Sequence, residues 1–158
     1  MSLTSIDRSQ IPRINGGLVA IVESKWHANL VGVMAFKCKG VLISHGVTQV
    51  DSYRVPGTLE IPLAVKALAE DKVPKYDAFV CLSVVEKGST AHFDMIVHAT
   101  TQTLQQLSVD LKVPVINEIL AVYDLNDAIA RASNDEYNKG IEAAAAALEM
   151  MHLIERLE

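Results

Sequence analysis

The sequence predicts an α/β protein built on a four-stranded parallel sheet that helices cover on both faces. Segments with strand character alternate with segments of helical spacing from about residue 17 onward. The apolar run DAFVCLSVV (77–85) does not alternate with polar residues, as expected for a strand buried on both faces. Half of the 158 residues are apolar, which is enough for a substantial core. Right-handed crossovers between such strands produce three layers.

The first half of the chain contains two predicted strands, each followed by a predicted helix. GLVAIVES (17–24) is rich in β-branched residues and predicts a buried strand. Apolar residues then recur at helical spacing over 27–46, and VTQVDSYRV (47–55) predicts the second strand. A helix is expected over 58–71, where Pro62 falls early enough to be tolerated in the first turn.

The second half of the chain continues this alternation. After the strand at 77–85, an amphipathic pattern predicts a long helix over 89–112. PVINEILAVY (114–123) predicts the fourth strand, and a short helix is expected over 124–133 because Asp124 is a good N-cap.

The last helix is expected from about 137 to 157 and contains the alanine-rich run EAAAAALEM (142–149). Alanine is the best helix former, and its small side chain lets a helix approach its neighbours closely. We therefore expect this helix to pack tightly against the sheet or against another helix.

Length and charge limit the classes of function. The length predicts one domain, 17–158, preceded by a flexible N-terminal segment, 1–16. The net charge is −5 and the basic residues are scattered, which argues against a nucleic-acid or membrane-surface binder. No apolar stretch approaches the ~20 residues that span a bilayer, and the N-terminus lacks the apolar core of a signal peptide. We expect a cytoplasmic protein with no nucleic-acid or membrane partner.

The two cysteines, Cys38 and Cys81, are predicted to be small buried hydrophobic residues in a reducing cytoplasm. Neither belongs to a CxxC pair or to a histidine-rich cluster, so the sequence predicts no metal site.

The candidate ligand site is expected at one edge of the sheet, because ligands of open parallel sheets bind beyond the carboxyl ends of the strands. Four segments of the predicted fold reach this edge. They are Ser24 to His27, Pro56 to Glu60, Glu86 to His92, and the chain from Asn117 onward.

The stretch EKGSTAHFD (86–94) places polar residues where the third strand passes into a helix. Gly88, Ser89 and Thr90 open this helix, whose free N–H groups and positive dipole end attract phosphate. Plain N-capping by Ser89 or Thr90 explains the same triplet. His92 follows in the first turn, where the dipole disfavours the protonated imidazole. His92 is therefore suited to act as a proton shuttle; the alternative is that it is a partly buried structural histidine.

Three further residues have both a functional and a structural interpretation. Trp26, the single tryptophan, either stacks on a planar heterocycle or packs within its loop. Glu60 either accepts hydrogen bonds from a polyol or an amine, or complements the dipole of a helix. Arg131 is a surface residue unless a phosphate lies near it.

Five motifs, in their order and at their spacings, resemble one enzyme family. They are R-V-P-G-T-L-E-I-P-L (54–63), K-G-S-T-A-H-F-D (87–94), V-P-V-I (113–116), D-A-I-A-R-A (127–132) and N-K-G (138–140). From about Gly17 to Met150 the chain is similar to the lumazine synthases, which catalyse the penultimate step of riboflavin biosynthesis. The resemblance implies a flavodoxin-like three-layer α/β/α fold with a four-stranded parallel sheet, assembled into pentamers.

The resemblance also implies a reaction. The family condenses 5-amino-6-(D-ribitylamino)uracil with 3,4-dihydroxy-2-butanone 4-phosphate. The products are 6,7-dimethyl-8-ribityllumazine, phosphate and water. The implied enzyme is a transferase with small-molecule substrates that needs neither a metal nor an organic cofactor.

The resemblance further implies roles for individual residues. The aromatic stacking position matches Trp26, and the proton-transfer histidine matches His92. The family's pyrimidine and ribityl contacts match Thr58, Leu59, Glu60, Val84, Val85 and Glu86. The phosphate ligands match Ser89, Thr90 and Arg131, of which the arginine typically reaches across a subunit boundary. Further candidates from the match are Lys139, Lys87 and His27.

The chain departs from the family at several of these positions. Glu86 replaces a usual aliphatic residue, Lys87 a usual arginine, and Asn117 an aromatic residue, commonly Phe, that covers the bound ring. The pair Trp26-His27 resembles a divergent second type found in some bacteria. Glu86 adds negative charge near an anionic substrate unless it is paired, for example with Lys87. Two alternatives stay open: a non-catalytic flavin- or lumazine-binding paralogue, and an unrelated flavodoxin-like domain.

The resemblance implies an assembly but leaves its size open. Some family pentamers pair into decamers or build icosahedral shells. Pro12 would interrupt the pairing of an N-terminal segment with a neighbouring sheet, which shell-forming members use. The stretch 133–140 lacks an insertion seen in forms that stay pentameric. These two features point in opposite directions.

Overall fold

The computed structural model describes residues 2–158 and contains one sheet of four parallel strands in the order β2-β1-β3-β4. The strands are β1 (Leu18–Ser24), β2 (Gln49–Val55), β3 (Ala78–Glu86) and β4 (Val115–Val122). The helices are α1 (Ala28–Ser44), α2 (Ile61–Asp71), α3 (His92–Leu111), α4 (Leu125–Ala132) and α5 (Lys139–Leu157). This arrangement confirms the predicted three-layer α/β/α fold with a four-stranded parallel sheet.

Two predicted helices begin later than the sequence indicates. Over 58–71, the first three residues form a separate 3-10 turn, Thr58–Glu60, and α2 begins at Ile61 with Pro62 in its first turn. The helix expected over 89–112 begins at His92, because Ala91 is the N-cap. Ser89 and Thr90 therefore lie in the turn before α3 rather than inside it.

The two faces of the sheet carry separate cores. Along β3, Val80 and Leu82 point into the larger core beneath α1, α4 and α5. Phe79 and Cys81 point into the smaller core beneath α2 and α3. Residues 78–85 are all buried, which confirms that the unbroken apolar run is a strand covered on both faces.

Helices α1 and α5 pack closely on the first face. A Cβ atom added at Gly140 would collide with the backbone carbonyl of Met34 in α1. Ala143, Ala144 and Ala147 are fully buried in the same contact region. The alanine-rich run thus permits the close approach that its composition predicts.

Part of the predicted N-terminal segment, 1–16, packs on the domain. Ile11 and Ile14 are buried in the larger core. The Ile14 N–H donates to the carbonyl oxygen of His45 at 2.9 Å, and Arg13 donates to that of Ser44 at 3.0 Å. Met1 lies outside the described residues, and the flexibility of the segment stays a prediction.

Both cysteines are buried, as expected. Cys38 lies in α1 and Cys81 in β3, and each is a free thiol. Burial raises the pKa of both thiols far above the ordinary range, so they are inert packing groups. Within residues 2–158, no helix is long and apolar enough to span a bilayer.

Candidate active site

A cleft of about 370 Å³ opens at the carboxyl edge of the sheet. The chain reaches this cleft four times: after β1, after β2, at the end of β3 and at the start of α3. Its lining residues are Trp26, His27, Gly57, Thr58, Leu59, Glu60, Val84, Val85, Glu86, His92 and Ile96. Nine of the residues singled out in the sequence therefore meet in one place.

The indole of Trp26 forms one wall of the cleft. The residue is 71% exposed, and its indole lies beside Gly57, where an added Cβ would be 3.7 Å from the indole Cδ1. The next residue, His27, has a φ of 53° and lies immediately before α1. This left-handed residue turns the chain from the strand into the helix and leaves the tryptophan in the loop.

The turn Thr58–Glu60 forms a second wall. Thr58 is buried, whereas Glu60 is exposed. The Glu60 carboxylate folds back over the turn, because its Oε2 would lie 3.0 Å from a Cβ added at Gly57. The turn thus brings an exposed carboxylate and a buried threonine to the same cleft.

The floor and the far side of the cleft come from β3 and α3. Val84 and Val85 are buried, and Glu86, the last residue of the strand, is exposed. His92 is the first residue of α3 and is exposed; its backbone N–H points to the Thr90 hydroxyl at 3.4 Å. An imidazole at this position is accessible to a ligand.

Lys87 lies to one side of the cleft. Its ammonium group is 5.8 Å from the centre of the Phe93 ring and 5.2 Å from that of Tyr123. These are cation–π contacts. In the described chain, no ion pair joins Lys87 to Glu86, so the predicted pairing of these two residues at the rim is not formed.

Three hydroxyl groups form a buried chain beneath the cleft. Thr58 Oγ1 lies 2.6 Å from Ser83 Oγ, and Ser83 Oγ lies 2.8 Å from Ser24 Oγ. The Ser24 hydroxyl donates to the carbonyl oxygen of Trp26 at 3.5 Å. By strand alternation, Ser83 and Ser24 lie on the side of the sheet covered by α2 and α3.

Several predicted site residues lie away from this cleft. Arg131 lines a second cleft, of about 300 Å³, beside β4 and donates to the backbone oxygen of Asp127 at 3.0 Å. Ser89 and Thr90 are exposed in the turn before α3 and do not line the first cleft. Lys139, the first residue of α5, is only 1% exposed and forms an ion pair with Glu142.

Asn117 requires a correction of its predicted position. The expectation that the chain from Asn117 onward lies at the carboxyl edge is wrong, because this residue is the third of β4. It is opposite Cys81 in the register, and its side chain contacts Thr101 at 3.4 Å. The strand reaches the carboxyl edge only at Val122.

A cluster of charged groups lies on the opposite side of the sheet, in which Glu118 and Lys139 are buried whereas Asp7 and Glu149 are exposed. Glu118 is 8% exposed, and its Oε1 atom has no hydrogen-bond partner among the described residues. Burial, followed by repulsion from Glu142, raises the pKa of Glu118 to about 7, while Lys139 opposes this shift. Asp7, Glu118, Glu142 and Glu149 line a third cleft, of about 350 Å³. The acidic groups around it therefore outnumber the single lysine of the cluster, Lys139.

The structure identifies site residues that sequence reasoning missed. Ile96 lies one turn after His92 on the same helix face, and this spacing was the available signal. Ser83 is a hydroxyl residue near the carboxyl end of a buried strand, and it contacts Ser24, which the sequence had already placed at this edge. Within residues 2–158, no three histidine, cysteine or acidic side chains are grouped as metal ligands would be.

The fold and the cleft define a class: a parallel α/β protein that binds a small molecule at the carboxyl edge, beside an aromatic wall and an imidazole at a helix N-terminus. The family model of 6,7-dimethyl-8-ribityllumazine synthase matches residues 17–155. The chain belongs to this family of transferases in riboflavin biosynthesis. This result confirms the family and the enzyme class that the motifs predict.

Relatives across nearly the whole chain carry the same name. The 6,7-dimethyl-8-ribityllumazine synthase of Stenotrophomonas maltophilia (strain K279a) is 36% identical over 140 residues, covering 87% of this chain and 89% of the relative. That of Xylella fastidiosa (strain 9a5c) is 35% identical over 144 residues, covering 90% and 92%. That of Acidovorax ebreus (strain TPSY) is 33% identical over 141 residues, covering 88% of each.

Proposed function

We propose that this protein condenses 5-amino-6-(D-ribitylamino)uracil with 3,4-dihydroxy-2-butanone 4-phosphate to form 6,7-dimethyl-8-ribityllumazine, phosphate and water, in the cytoplasm. The observation that supports this most directly is the meeting of Trp26, Glu60 and His92 in one cleft. These residues come from three separate segments of the chain, and the chain belongs to the corresponding family.

The pyrimidine substrate is assigned to the wall and floor of the cleft. Trp26 offers an exposed aromatic face for stacking on the ring. Thr58 and Glu60 offer oxygen acceptors for the hydroxyl groups of the ribityl chain. Val84 and Val85 exclude water beneath the ring. Holding both substrates together lowers the entropic cost of a bimolecular condensation.

His92 is assigned the proton transfers. The amine of the pyrimidine attacks the ketone, water and phosphate leave, and the ring closes. Each step moves a proton between substrate atoms, and an imidazole can relay such protons because it both accepts and donates them. The free N–H groups at the start of α3, with Ser89 and Thr90, are assigned to the phosphate.

We further propose that the complete site forms between subunits of a pentamer. Arg131 lies beside β4 and Asn117 lies within it, both away from the cleft of their own chain. In a ring, the edge of one subunit can bring both residues to the cleft of its neighbour. Large apolar side chains exposed on α2 and α3 support such contacts: Leu63, Met95 and Val109. Light scattering of the purified protein tests the subunit number.

The first experiment mixes the purified protein with both substrates and follows lumazine formation by its absorbance. Formation well above the spontaneous background is expected. If no product forms but the pyrimidine or riboflavin binds tightly, the protein is a non-catalytic binder and the proposed reaction is wrong.

Replacement His92→Ala is expected to slow turnover by roughly 10- to 1000-fold, because a positioned proton-transfer group typically contributes about 10²–10⁴. His98→Ala is the matched control, since His98 is an exposed histidine of the same helix that does not line the cleft. Steady-state rates should fall only for the first variant. Equal rates for both variants would remove His92 from the mechanism.

Replacement Arg131→Ala is expected to raise the KM for the phosphorylated substrate about tenfold or more, because a charge-assisted contact to phosphate is lost. The pyrimidine should bind as before. Arg131→Lys should recover part of the loss, since it restores a positive charge without the planar fork. Weaker binding of the pyrimidine alone would contradict this role.

A further inference from the structure

The three hydroxyl residues beneath the cleft are buried. Thr58 is 7% exposed, Ser83 0% and Ser24 1%. Buried hydroxyl groups must find partners within the protein, and these three find each other. Only Thr58 also lines the cleft, so it is the end of the chain that a ligand can reach.

The other end of the hydroxyl chain has a fixed role. The carbonyl oxygen of Trp26 accepts hydrogen bonds and cannot donate them. Its distance of 3.5 Å from Ser24 Oγ is long, and the bond is correspondingly weak. It is nevertheless the contact that distinguishes the two ends, because the remaining contacts join hydroxyl groups that can exchange roles.

Counting protons from that end orients the whole chain. Each hydroxyl has one proton and two lone pairs. If Ser24 donates to the carbonyl, its oxygen must accept from Ser83. Ser83 has then used its proton and must accept from Thr58. The single proton of Thr58 is thereby committed to Ser83, so a ligand group that reaches the Thr58 oxygen meets only its lone pairs.

We propose that Ser83 and Ser24 are positioning residues that make Thr58 an obligate hydrogen-bond acceptor, so that the cleft selects a ligand hydroxyl that donates a proton. This inference rests on the proposed function, which places a ribityl chain against this wall. A ligand group that offers only lone pairs at this point meets the lone pairs of Thr58, and both remain unpaired.

The test uses 6-(D-ribitylamino)uracil, which lacks the reactive 5-amino group, as the probe. Four analogues each carry one ribityl hydroxyl replaced by fluorine, which keeps the size but removes the donor. Isothermal titration calorimetry of the unmodified protein should show one analogue weakened about tenfold, since an unpaired buried acceptor typically costs that much. Analogues altered elsewhere on the chain should not share this loss.

The variant Ser83→Ala should relax this discrimination. The Thr58 proton is then released and can turn toward the ligand, so the weakened analogue should recover to within about threefold of the parent. Ser24→Ala carries the same expectation. Ser83 can then donate to Thr58, and the proton of Thr58 becomes free to turn toward the ligand. The second variant keeps the test decisive if the first does not fold.

Ser108→Ala is the matched control. The Ser108 hydroxyl donates to the Val113 carbonyl oxygen at 3.0 Å and accepts from the Val115 N–H at 3.1 Å, away from the cleft. It should leave the tenfold discrimination unchanged. Discrimination that is absent from the unmodified protein, or that persists in both Ser83→Ala and Ser24→Ala, overturns the inference. Failure of the parent probe to bind overturns the proposed function, and the inference falls with it.

Discussion

The two faces of the sheet bury different polar groups, although each keeps one buried oxygen without a partner among the described residues: Thr100 Oγ1 in α3 and Glu118 Oε1 in β4. On the α2 and α3 side, the hydroxyls of Thr58, Ser83 and Ser24 form a chain in which each has a partner. On the α1 and α5 side, Glu118 keeps an oxygen atom without a donor, although Lys139 lies near. Neutral groups can be buried at little cost once they are paired, whereas a charge cluster with an unpaired member makes stability depend on protonation.

The largest effect is expected where the buried lysine loses its carboxylate partners. In a Glu118→Gln background, Glu142→Gln removes the ion-pair partner of Lys139 and should cost about 3–5 kcal/mol, because an uncompensated buried charge remains. In the unmodified background the same change should cost less, since the Glu118 carboxylate can then compensate the charge of Lys139. Urea unfolding at fixed protein concentration measures both values.

A surface pair serves as the control for this measurement. Lys66 and Glu70 form an ion pair on α2 in which both side chains are about half exposed. Glu70→Gln should cost less than about 1 kcal/mol. The same loss of unfolding free energy for Glu70→Gln as for Glu142→Gln in the Glu118→Gln background would contradict this expectation. It would show that burial of Lys139 does not increase the cost of losing its partner.

The second effect concerns pH. The pKa of Glu118, raised from 4.5 to about 7, means that the folded protein favours the protonated carboxyl. Its contribution to stability is complete below pH 4.5 and is lost as the pH rises through 7. Between pH 4.5 and pH 7, the free energy of unfolding of the unmodified protein should fall by about 3 kcal/mol relative to that of Glu118→Gln. Each unit of pKa shift corresponds to about 1.4 kcal/mol.

Chemical unfolding of the two proteins from pH 4.5 to 8 measures this difference. The charged groups that face Glu118 are common to both proteins: Asp7 from the N-terminal segment, and Lys139, Glu142 and Glu149 from α5. A difference that does not change with pH would show that the unpaired oxygen is accommodated without a penalty for its charge.

The third effect is the smallest and probes the hydroxyl chain. Ser83→Ala removes the partner shared by Thr58 and Ser24 and should cost about 1–3 kcal/mol, without a dependence on pH between 4.5 and 8. Thr58→Val should cost less free energy of unfolding in the Ser83→Ala background than in the unmodified protein, because the Thr58–Ser83 bond is already lost there. Additive costs in this double-mutant cycle would mean that the hydroxyls act independently.

The fold could be predicted because its signals are local. Strand and helix periodicities alternate cleanly, and β3 reveals its double burial by an unbroken apolar run. The cleft residues around Trp26, Glu60 and His92 were predictable for a related reason. They follow the ends of neighbouring strands, and parallel strands present their carboxyl ends at one edge.

The two polar clusters could not be predicted in the same way. A lysine at the start of a helix is normally exposed, and the burial of Lys139 depends on the close approach of α5 to α1. The contact between Ser24 and Ser83 depends on the register between β1 and β3, which the sequence does not encode locally. The predicted position of Asn117 was wrong although the predicted strand, 114–123, nearly matches the observed one. A residue near the start of a parallel strand lies toward its amino end and not at the carboxyl edge.

The exposed indole at the cleft has a practical consequence. Trp26 is the single tryptophan of the chain, so near-ultraviolet emission excited at the red edge originates from one wall of the candidate site. A planar ring that stacks there changes that emission directly, while events elsewhere in the fold leave it largely untouched. The protein therefore carries a built-in optical sensor, and ligand occupancy can be followed in dilute solution without any label.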